Sequence, residues 1–105
     1  MIECICIDDS GRPPVIPPHK WPKKDGVYHI VFARIVLPQR TLGVELAEIV
    51  LDECCTPYEY FLGKRFMVKS TDLDALLELI KETSGVHTSI QELQKQTGHV
   101  VGTRS

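Results

Sequence analysis

Long apolar runs are missing from this 105-residue chain, and so is a surplus of either charge. No stretch approaches the roughly 18 apolar residues that cross a bilayer. The first residues have neither the basic nor the extended apolar segment of a secretory leader. The expectation is a cytoplasmic protein without membrane contact. Twelve Lys and Arg stand against fourteen Asp and Glu, a formal net charge of -2, so there is no global field that would gather nucleic acid or anionic lipid. Cysteine is sparse too. Cys4-x-Cys6 and the adjacent Cys54-Cys55 lack the C-x₂₋₄-C spacing of structural zinc sites and make no disulfide-dense framework. They read as small buried hydrophobes with reduced thiols, which leaves no metal and no cofactor in the expectation.

Catalytic constellations are equally scarce. A Cys–His nucleophile needs a base beside the thiol, and His29 is the only histidine placed on a strand that could approach a cysteine. Asp8 and Asp9 fit a turn that ends a strand, because short carboxylates there accept backbone N–H bonds. Glu45 and Glu48 have no neighbour that would mark either as a general acid and read as solvated strand charges. The chain is therefore read as non-enzymatic.

What is present describes an architecture. At this length one domain with one modest core is expected. Residues 2–7 are apolar or Cys except Glu3, the pattern of a strand covered on both faces. Asp8-Asp9-Ser10-Gly11 supplies turn chemistry. The segment 12–22 carries five prolines, which forbid a helix interior or central strand, so it is predicted to be an extended surface loop. Residues 27–37 are β-branched and aromatic and stop at Pro38, a long strand. Residues 42–51 fit both helical spacing and alternation; strand with a bulge near Ala47 is preferred. Residues 58–61 read as a tight helical turn and 65–68 as a closing strand. From Ser70 the period changes. Leu73, Leu76, Leu77 and Ile80 form one apolar stripe on a helix over about 72–82, with Thr71 and Asp74 as a weak capping box and Gly85 as its stop. Ser89-Ile-Gln-Glu92 offers a full capping box for a second helix reaching Gln96. The tail from Thr97 is expected to be loose.

The blocks Cys6-Ile-Asp-Asp-Ser-Gly11, Gly26-Val-Tyr-His-Ile30, Gly43-Val-Glu-Leu-Ala-Glu-Ile49, Tyr58-Glu-Tyr-Phe61 and Lys64-Arg-Phe66 resemble a group of small uncharacterised phage and mobile-element proteins that look like SH3-type barrels. The resemblance spans about residues 3–68 and implies no catalytic residues. It implies a fold: an SH3-like β-barrel over 1–68 with a proline-rich first loop, followed by a helical extension and tail over 69–105.

The candidate surface is that loop. Pro14-Val-Ile-Pro17 has PxxP spacing, which would pre-order a polyproline segment as a ligand for another protein; the alternative is a rigid cover in which Trp21 folds over the core. Trp21, Lys20 and Lys23, joined by Tyr58 and Tyr60, are the expected binding residues. Aromatics would anchor a protein partner while charges at the rim set its orientation. The same lysines beside Trp21 suit a base stacked above a phosphate, so nucleic acid is the alternative partner. Leu73, Leu76, Leu77 and Ile80 must be covered, either by the barrel or by a second copy in a homodimer.

Overall fold

The computed structural model describes residues 1–83, 88–97 and 99–101. Five antiparallel strands form most of one sheet: β1 (Ile2–Cys6), β2 (Val27–Val36), β3 (Thr41–Leu46), β4 (Phe61–Leu62) and β5 (Phe66–Lys69). Two helices follow, α1 (Leu73–Thr83) and α2 (Ile90–Gln96), and then β6 (His99–Val101), which adds to β5 in parallel. The strand order is β4-β3-β2-β1-β5-β6. Among the described residues no helix is long and apolar enough to cross a membrane.

Alternation sets the faces. On β1, Ile2, Cys4 and Cys6 are buried while Glu3 is exposed. Ile30, Ala33 and Ile35 of β2 and Leu42, Val44 and Leu46 of β3 join the same core. Between Ile30 and Phe32 the β2–β3 register slips by one residue. Such a bulge bends its strand and strengthens the local twist. It lies on β2, whereas the sequence suggested one near Ala47, and β3 ends at Leu46, well short of residue 51.

The sheet curls strongly. β4 and β5 are consecutive in the chain yet lie at opposite ends of the antiparallel order. Five flat strands would separate them by four spacings, about 19 Å, while the four steps from Leu62 to Phe66 span at most about 14 Å. A 3-10 turn, Gly63–Arg65, fills that short link. The Phe61 and Phe66 rings meet edge to face, 6.4 Å between centres, inside the curl. No ladder joins β4 to β5 among the described residues, so the sheet curves without closing.

α1 packs across β2 and α2 packs on α1. Leu73, Leu76 and Ile80 are fully buried within the chain, and Leu77 is half-buried against the same core. Pairing of this stripe with a second copy requires it to be exposed. Here the sheet itself covers it. The helix opens through a 3-10 turn, Ser70–Asp72, in place of the Thr71–Asp74 capping box. At α2 the Ser89 hydroxyl caps as expected, accepting from the Glu92 backbone N–H at 3.2 Å. The Glu92 side chain, however, turns to Arg40, with contacts of 3.0 and 2.8 Å, and to Thr88. Gln96 donates to the Arg40 carbonyl at 2.7 Å, so α2 is fastened to the β2–β3 turn. The Gly85 stop lies outside the described residues. So does most of the predicted loose tail, although its residues 99–101 form β6.

Candidate functional site

The proline-rich segment is folded as well as extended. The Ile16 N–H donates to the Pro13 carbonyl, closing a turn across the PxxP sequence, and a 3-10 turn spans Pro18–Lys20. Ile16 is only 1% exposed. Proline's fixed φ suits such turns, and the buried isoleucine pins the loop to the body. A ligand strand would have to offer Pro14 to Pro17 outward as a polyproline helix; here that sequence is used to build the turn.

Trp21 follows this loop and is half-buried. Its indole N–H donates to the Asp9 carbonyl at 2.7 Å, and its ring meets Phe61 edge on at 5.8 Å. The Arg65 guanidinium lies 4.7 Å from the ring centre, within cation–π range. Arg65 also donates to the carbonyls of Asp8 and Ser10, at 3.2 and 2.7 Å. The loop, the opening turn and the 3-10 turn before β5 are thereby bound to one another. Hydrogen bonds from the Ser10 hydroxyl and backbone N–H, aided by Arg65, hold the Asp8 carboxyl below its ordinary range.

Residues 58–60 form no helical turn, contrary to the one expected there, and the chain bends at Tyr60; a 3-10 turn lies earlier, at Glu53–Cys55. Tyr58 is 42% exposed. Tyr60 is half-buried on β3. A Cβ built on Gly43 would fall 2.5 Å from the Tyr60 Cδ1, so the ring occupies the space that only glycine leaves. The Arg34 guanidinium lies 5.3 Å from the Tyr60 ring centre and 3.6 Å from Glu59.

Trp21, Tyr58 and Tyr60 line one cleft of about 500 Å³, together with Pro13, Pro57 and Arg65. This volume falls within the usual range for ligand sites, about 300–1,000 Å³. Lys20 and Lys23 do not line it. The Lys20 ammonium contacts Asp52 at 2.6 Å and the Val50 carbonyl at 3.3 Å, tying the loop to the segment after β3. Lys23 is exposed on the far side of Trp21 in sequence, and its backbone N–H donates to the Tyr28 hydroxyl. Pro13, Pro57 and Arg65 escaped the sequence reading. Pro57 and Arg65 each adjoin an aromatic, Tyr58 and Phe66, while Pro13 lies within the proline-rich loop; only the curl of the sheet brings these distant turns together.

The buried thiols face elsewhere. Cys4 and Cys6 point into the core, and burial pushes the Cys4 thiol up to about 12 and raises that of Cys6. His29 is paired with Glu3 on β1, one position out of phase with Cys4, and its Nδ1 contacts Glu48 at 2.5 Å. No Cys–His pair forms there. Partial burial raises the Glu48 carboxyl, but hydrogen bonds from the His29 ring and backbone outweigh it and leave the group below its usual range. Cys55 is buried; among the described residues no group of His, Cys, Asp and Glu could hold a metal. Comparisons with family models, curated proteins and solved structures find no match to this chain.

Proposed function

We propose that this chain is a non-enzymatic protein-interaction module that receives an extended segment of a partner in the Trp21–Tyr58–Tyr60 cleft. The observation carrying this reading is the convergence of those three aromatics with Pro13 and Pro57 on one concave surface. Aromatic side chains bring large contact area at low entropic cost and dominate binding energy where they sit in a pocket. Glu59 and Arg65 are the charged residues of the lining and set orientation at the rim.

An SH3-like barrel of phage or mobile-element type is part of the proposal. The barrel reading is supported by the antiparallel order β4-β3-β2-β1-β5, by the curl that the short β4–β5 link demands, and by the 3-10 turn within that link; the phage or mobile-element type rests on the sequence resemblance. A cytoplasmic setting is supported by the buried thiols of Cys4 and Cys6, which form no disulfide. Nucleic acid recognition through the loop is less favoured, because Lys20 is held by Asp52 and Lys23 does not line the cleft.

The test is recovery of partners from host extract on immobilised wild-type chain, beside Tyr58→Ala and Trp21→Ala, with direct titration of the recovered protein. Tyr58 is exposed and supports little of the core, so its loss leaves the fold intact. The expected result is a partner retained by wild type and weakened roughly tenfold or more by Tyr58→Ala, as for a central aromatic anchor. Retention of every partner by both variants would refute the site. Salt-steep binding of short single-stranded oligonucleotides, lost with Lys23→Ala, would transfer the function to nucleic acid.

A further inference from the structure

A second groove lies beyond Tyr60. Val31, Phe32, Ile49, Val50 and Leu51 form its apolar walls, Glu45 and Glu59 stand among them, and its volume is about 280 Å³. Phe32 is 51% exposed and Val50 65% exposed. The bulge of β2 explains the first: the slipped register puts Val31 and Phe32 side by side beside this groove. Exposed aromatic and branched side chains around one depression mark an interaction site rather than isolated surface hydrophobes. The volume is just under the range of about 300 Å³ and above that holds a whole small molecule. It fits a side-chain anchor.

The charge around the groove selects the partner. From Thr41 to Gly63 the sequence holds Glu45, Glu48, Asp52, Glu53 and Glu59 and not one Lys or Arg. Glu48 is matched by His29 and Asp52 by Lys20. Arg34 stands 3.6 Å from Glu59. Glu45 has no cationic partner among the described residues. The lining acids repel nucleic acid and anionic lipid and attract a cation at the rim.

We propose that this groove is a second binding surface, one that takes a cationic extended peptide anchored by a large apolar side chain. The anchor enters between Phe32 and Val50, and a flanking Lys or Arg reaches Glu45. The surface adjoins the aromatic cleft and shares Glu59, Tyr60 and Phe61 with it, but Trp21 and Tyr58 do not line it.

The test uses the whole chain and three fluorescent eight-residue peptides: Lys alternating with Leu, Glu with Leu, and Lys with Ser. Polarisation is the first readout and amide chemical-shift mapping the second. The Lys/Leu peptide is expected to bind at least tenfold more tightly than either of the others, to shift the Val31, Ile49 and Val50 amides, and to weaken as salt rises. Glu45→Lys and Phe32→Ser should each weaken it roughly tenfold, while Trp21→Ala leaves it unchanged. Both altered side chains are partly or largely exposed, and circular dichroism checks that the variants fold. Equal binding of the Glu/Leu peptide, shifts confined to other surfaces, or indifference to both substitutions would overturn the proposal. Self-association of the free chain that Phe32→Ser abolishes would also overturn it, by giving the groove to a second copy.

Discussion

Replacing Gly43 by Ala should push Tyr60 out of its seat. Gly43 lies in β3 without a positive φ, so alanine suits the backbone, and restricting the unfolded chain alone would stabilise the protein by about 0.4–1 kcal/mol. The added methyl, however, would stand 2.5 Å from Cδ1 and 2.8 Å from Cγ of Tyr60. Carbon contacts settle near 3.5–4.0 Å, so the ring must withdraw by roughly 1 Å. These atoms are close to the root of the side chain, where a small rotation gives little relief. Overpacking of this kind costs about 1–3 kcal/mol, and moving the ring also disturbs its stack with Arg34. The net expectation is a loss of about 1 kcal/mol, a fall of roughly 4–8 °C in Tm for a domain of this length. Urea unfolding of the single and double variants measures it. In a Tyr60→Ala background the clash disappears and Gly43→Ala should become neutral or stabilising, giving a coupling of about 1–3 kcal/mol. If the two substitutions are additive, or if Gly43→Ala raises the midpoint on its own, the ring does not rest on Gly43 and the wall shared by the two grooves is built differently.

Two further predictions concern ionisable groups. Hydrogen bonds from Arg40, then from Thr88, hold the Glu92 carboxyl below its ordinary range; a group depressed on folding stabilises fully above the unfolded value, about 4.3, and loses that contribution as pH falls through the folded one. The protection of the α2 amides against exchange, relative to the unfolded chain at the same pH, should therefore fall on acidification below about pH 4.3, and Arg40→Gln should flatten that response. The Cys4 thiol runs the other way, from 9.0 to about 12. The unfolded thiol ionises first, so stability falls as pH climbs between those values, and iodoacetamide at neutral pH should leave Cys4 and Cys6 unmodified until denaturant is added, as peptide mass mapping would show.

Local signals were legible wherever one residue type dictated one geometry. The apolar run of β1, the β-branched run of β2, the stripe of α1 and Ser89 at the start of α2 all announce their elements, although β1, read as covered on both faces, fully buries only Ile2, Cys4 and Cys6. The extent of β3 was not legible, because apolar residues recur through Ile49, Val50 and Leu51 while Leu46 is the last residue that finds a partner strand. The proline loop hid its turn for a different reason. Proline forbids helix and central strand but does not distinguish extended chain from successive turns, and burial of Ile16 is a tertiary fact. The aromatic members of the cleft were legible as residue types, yet Trp21 meets Phe61 and Arg65 only because the sheet curls. Lys20 shows the limit most clearly: beside Trp21 in sequence it resembles a ligand cation, and in space it fastens a loop to Asp52.

The sheet ends in very little strand. β4 contributes two residues at one margin and β6 three at the other. An unpaired margin is a template on which identical molecules can stack, and proteins blunt it by keeping it short. Among the described residues the row of main-chain groups at either margin is brief, and fibril growth by repeated strand addition has little there to lengthen from.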